Sequence, residues 1–133
     1  MRSVRVEIGI AELVDRITIL EIKSDHAPSV AQQSRIRRDI ERLSRARARA
    51  GLASAALDRD VAALRAINRK LWRVEDEIRA CERRRDFGAE FVRLARAIYK
   101  HNDRRASIKR RIDERHGSAI RDEKIYPRRP STS

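Results

Sequence analysis

The feature that most narrows the fold is one long run with helical periodicity and no internal helix breaker. It extends from Ser54 or Asp58, either of which can start a helix, to about Arg85, with Gly51 upstream and Asp86, Phe87 and Gly88 downstream. At about 100° per residue, Leu57, Val61 and Leu64 share one line, as the core-facing side of a helix should. The same line then changes character. Asn68, Trp72, Glu75, Arg79 and Glu82 continue it within an arc of about 80°, so an apolar seam becomes a polar one without leaving the helix. Buried polar groups need partners, which makes this line the leading candidate site.

The rest of the chain divides into similar elements. Ile10, Leu13, Val14, Ile17 and Leu20 give a first helix over about 10–25 one apolar face, and Ile19 and Ile22 give it a second. A helix apolar on two sides is either central in a bundle or held between the bundle and a second subunit, so a homodimer is expected. Pro28 suits the first turn of a second helix, about 29–50, which ends at Gly51. Its apolar stripe is narrow (Ile36, Ile40, Leu43), and its seven arginines between Arg35 and Arg49 face only Asp39 and Glu41. Asp86 can cap a fourth helix, about 89–116, that stops at Gly117. Phe91, Ala95, Ile98, Tyr99, Asn102, Ala106 and Lys109 share an arc of about 100° on it. If the last two helices form an antiparallel hairpin, their polar stretches meet at one height.

The predicted fold class is therefore all-α, an antiparallel bundle of about four helices with a long C-terminal helical hairpin. It forms a single domain over 1–126, with a disordered tail from Pro127. Residues 3–8 alternate as a short strand or extended lead-in, and 118–126 pack back as a short helix or strap. Aromatic content of 4% and charged content of 40% in 133 residues suit long helices rather than a sandwich or barrel.

A formal charge of +13, carried by 28 arginines and five lysines, raises the question of a polyanionic partner. Nucleic acid is not favoured, because finger spacing, RNP aromatics and a recognition-helix pattern are all missing. Cys81 reads as a small core residue in a reducing compartment. No signal-like or membrane-length apolar run occurs, which points to a cytoplasmic protein with no membrane partner. The letters Asp86-Phe87-Gly88 match a kinase motif, but without a Gly-rich loop or strand lysine the match is coincidental.

The chemistry on the seam is basic with a few acids. Arg79 and Lys109, flanked by Arg105 and Arg110, suit a small carboxylate or phosphate in a pocket between the third and fourth helices. Asn68, Trp72, Glu82, Tyr99 and Asn102 would line it, with Glu75 as acid or base. The cofactor is unknown. A divalent cation is one candidate, held by Glu12 and Asp15 at i, i+3 or by Asp76. Against these stands an internal salt-bridge network, Glu75 to Arg79 and Arg79 to Glu82, with Trp72 as a core anchor. Three functions stay open: binding or conversion of a small anionic metabolite, a helical interaction or scaffold protein without chemistry, and a basic nucleic-acid binder.

Three runs carry a resemblance: ELVDRITILEIK at 12–23, NRKLWRVEDEIRACERRRDFGAEFVRLARAIYKHNDRRASIKRRID at 68–113, and GSAIRDEKIY at 117–126. They resemble a family of small bacterial all-helical proteins of unassigned function. Asp113 stands where that pattern has Asn. The resemblance implies no activity. It does imply that the polar groups on the first, third and fourth helices form one constellation.

Overall fold

The computed structural model describes residues 1–121 and 125. It contains four helices: α1 (Ile10–His26), α2 (Val30–Arg49), α3 (Ala55–Arg83) and α4 (Ala89–His116). Local chemistry accounts for most of the boundaries. The Ser29 and Ser54 hydroxyls accept from the backbone N–H groups of Gln32 and Leu57, each at 3.1 Å, capping α2 and α3. Gly51 and Gly117, both at φ 70°, take the left-handed turn that follows a helix.

The α3–α4 turn is built differently from expectation. Arg85 holds the left-handed position at φ 53°, where glycine is usual, while the Asp86 N–H donates back to the Cys81 carbonyl at 2.9 Å. Asp86 does not cap α4. Its carboxylate accepts from the Gly88 N–H at 3.2 Å and so braces the turn, and Gly88 is the cap residue, with no side-chain bond. Residues 3–8 form no strand and are largely exposed. The expected tail from Pro127, and most of the expected strap, lie outside the described residues. Ser118 to Arg121 are described, and they pack back without forming a helix.

The core is the meeting of α1, α3 and α4. Ala11, Val14, Leu57, Val61, Leu64, Ile67, Ile108 and Ile112 form one buried cluster, each large member contributing about 1.5–3 kcal/mol by leaving water. The hairpin is antiparallel, since Asp60 near the start of α3 meets Arg115 and His116 at the end of α4. Helix α2 buries no residue fully; it packs on α1, and Arg47 near its end pairs with Asp58 of α3 at 2.8 Å. Ile19 and Leu20 of α1 face Leu43 of α2, whereas Ile22 is buried. Ile22 is thus covered by the chain itself, while Ile19 and Leu20 stay half-buried along the cleft between α1 and α2.

Helix α1 ends beside Trp72, where His26 lies against the indole with ring centroids 4.9 Å apart. Beyond that level the hairpin continues as two helices only. Between residues 73 and 101, Cys81 and Leu94 alone are buried, and no described hydrogen bond or ion pair ties this arm to α1 or α2. At 1.5 Å per residue the arm projects roughly 16 Å.

Candidate functional site

The most concentrated polar chemistry lies where α1 crosses the hairpin. Asp15, fully buried, receives the Arg105 guanidinium through two nitrogens, Nε lying 3.2 Å from Oδ1. The Asn68 amide donates to Asp15 Oδ1 and to Thr18 Oγ1, both at 2.9 Å. Thr18 in turn donates to the Asp15 carbonyl. Lys109 Nζ lies 2.9 Å from Glu12 and 3.6 Å from Asp15, and Arg16 also pairs with Glu12 at 3.0 Å. One buried carboxylate thus joins three helices through bidentate, charge-assisted bonds. Partial burial pushes the Glu12 carboxyl upward, but the hydrogen bonds and charges of Lys109 and Arg16 outweigh it and hold the group below its ordinary value.

Two further buried carboxylates complete the base of the bundle. Asp60 accepts from Arg115 at 3.3 Å and from His116 Nε2 at 3.1 Å; Arg111 Nε lies 3.5 Å away without hydrogen-bond geometry. Asp113 caps α1 from across the fold. Its Oδ1 accepts from the Ala11 N–H at 2.9 Å and from the Ser118 hydroxyl at 2.6 Å, while Ser118 Oγ accepts from the Ile10 N–H at 2.8 Å. Gly9, the cap residue of α1, offers no side chain, so this carboxylate satisfies the positive end of the helix.

The structure brings together some of the sequence candidates and separates the others. Asn68, Arg105 and Lys109 meet, with α1 as their partner. Glu75 is half-buried, Arg79, Glu82, Asp76 and Tyr99 are exposed, and Asn102 is half-buried. Among the described residues neither Glu75 with Arg79 nor Arg79 with Glu82 forms an ion pair, so the expected pairing along α3 is absent. Glu12 and Asp15 are engaged by cations, and the described residues hold no group of His, Cys, Asp and Glu arranged for a metal ion.

Trp72 lines a cleft between α1 and α3, of about 430 Å³, together with Ile22, Asp25 and His26. Arg69, Lys70 and Arg73 form its basic rim, three cations against the single carboxylate of Asp25, and none of the three enters an ion pair among the described residues. His26 Nδ1 donates to the Ile22 carbonyl at 2.9 Å, which leaves Nε2 to face other groups. The Trp72 indole N–H is buried without a hydrogen-bond partner. A buried, unbonded N–H is uncommon in folded proteins.

Fold and polar network define a class: a small all-helical bundle whose first helix is locked to a long hairpin by buried carboxylates. Within that class, the chain belongs to DUF6165, a family of unknown function whose model matches residues 4–133. Neither the curated proteins nor the solved structures give a match. Among the described residues no helix is long and apolar enough to cross a membrane.

Proposed function

We propose that the chain binds a small anionic metabolite in the cleft where α1 ends against α3. The observation that carries this reading is the rim of Arg69, Lys70 and Arg73, without ion-pair partners among the described residues, beside the Trp72 ring. The cleft has the size of a small-molecule site. Its cations are available, whereas Arg105 and Lys109 on the hairpin seam are held by Asp15 and Glu12. An anion with a planar part fits this chemistry, with the charge on the guanidinium groups and the ring against the indole. Of the pocket anticipated between the last two helices, only Trp72 belongs to this cleft. A second reading, a helical interaction protein, draws on the exposed arm.

Thermal unfolding with a panel of phosphorylated sugars, nucleotides and small carboxylates tests the proposal. One class should stabilise the protein, by about 2.7 kcal/mol at a hundredfold excess over Kd, and Arg69→Glu or Arg73→Glu should abolish the effect. If no class stabilises the protein, or if the stabilisation survives both charge reversals, the proposal fails. Stabilisation by any polyanion with steep salt dependence would put the nucleic-acid reading in its place.

A further inference from the structure

The arm exposes a slot that the rest of the hairpin keeps filled. In the lower half, the face of α3 at Asn68 and the face of α4 at Arg105 and Lys109 are covered by α1. At about 100° per residue the same two faces continue into the arm, as Glu75, Arg79 and Glu82 on α3 and as Phe91 and Ile98 on α4, with Tyr99 at the edge, about 80° round from Lys109. There, no helix among the described residues covers them. Tyr99 is 53% exposed, and Phe91 and Ile98 are only half-buried. The two faces therefore present apolar side chains on α4 beside charged ones on α3.

We infer that the slot is filled by the arm of a second copy of this chain, the two arms running antiparallel about a twofold axis. Charge complementarity identifies the occupant. Glu75 and Arg79 stand at i, i+4 and Arg79 and Glu82 at i, i+3, spacings at which opposite charges ordinarily pair along a helix. They do not pair here. A twofold axis crossing α3 near Glu77 places Glu75 opposite the partner's Arg79, and Arg79 opposite the partner's Glu75, the reciprocal pattern an isologous interface requires. Two hairpins joined in this way make a four-helix arm in which Phe91, Ile98 and Tyr99 leave water. The inference rests on the arm and is independent of ligand binding at the Trp72 cleft.

Sedimentation velocity of the full chain over a concentration series decides the matter, with circular dichroism to show that each variant keeps its helices. The wild type should be dimeric. Glu75→Arg and Arg79→Glu should each weaken the dimer by at least about tenfold, because each sets like charges opposite one another. The double variant that swaps the two charges should restore it. A chain lacking 126–133 should dimerise like the wild type, whereas loss of the dimer in that chain would make the tail the occupant. A wild type that stays monomeric up to its solubility limit overturns the inference, as does a dimer indifferent to Arg79→Glu or a charge swap that fails to reassociate.

Discussion

The two halves of the α3–α4 hairpin both carry polar groups on the same helix lines, yet those groups have different physical standing. In the lower half a third helix arrives, and Asn68, Arg105 and Lys109 become a buried network around Asp15. In the arm no third helix arrives among the described residues, and Glu75, Arg79 and Glu82 remain half-buried or exposed without a described ion pair. A polar line on a helix thus has no fixed meaning. What reaches it decides whether it locks a core or offers a surface.

Paired substitutions, one in each half, test whether the two differ. Asp15→Ala removes the buried carboxylate that Arg105 and Lys109 face and should cost about 3–5 kcal/mol in urea unfolding. Asp76→Ala, an exposed carboxylate of the arm, should stay within about 0.5 kcal/mol. Equal costs would erase the distinction between the halves. Next, Leu64→Ala in the fully buried core should cost about 2–5 kcal/mol, whereas Ile78→Ala, half-buried in the arm, should cost about half as much, both read from thermal melts.

Two smaller effects follow. Arg85→Gly should stabilise the protein by about 1 kcal/mol, since glycine adopts the left-handed turn at φ 53° without a Cβ clash. A loss of stability would show that the Arg85 side chain matters to the arm. Glu12 tests the network by pH. Its carboxyl is depressed in the folded state, so its contribution is fully present above the ordinary value of 4.5 and is lost as pH falls through the lower folded value. Glu12→Gln should flatten that part of the stability profile by about 0.5 kcal/mol, a figure kept small by solvent screening at a partly exposed pair.

The helices were legible because their punctuation is local. Ser29, Ser54, Gly51 and Gly117 act within a turn of their own positions, and all four boundaries fall within about two residues of the pattern. The Asp86 cap was misread because a left-handed Arg85 shifts the turn, and nothing in the letters around Arg85 announces that conformation. The site was legible in part. Asn68, Arg105 and Lys109 stood out as polar groups on core-facing lines, but their common partner, Asp15, suggested a cation site when read only with its neighbour Glu12. Carboxylates at i, i+3 take their role from whatever packs against them. Asp60 did leave a signal, an acid between Leu57 and Val61 in an otherwise apolar stripe, and so did Asp113, the one departure from the expected motif. Thr18 and Ser118 left none, since a small hydroxyl disturbs no periodicity. Nor could the Trp72 cleft be seen in advance, as its depth depends on where α1 ends.

The cap that Asp113 places on α1 has a consequence for how the chain reaches this shape. Ala11 and Asp113 are 102 positions apart, so the first helix to be synthesised lacks its N-terminal partner until the fourth has formed. The hairpin closes over a short turn and can assemble early, whereas α1 must wait for a long loop to close, an event whose entropic cost rises with loop length. The bare Gly9 also leaves room for the Ile120 carbonyl, into which any added Cβ would run. Residues 9–11 and 113–120 are thereby fastened to each other at one place, so that loosening either side exposes the other.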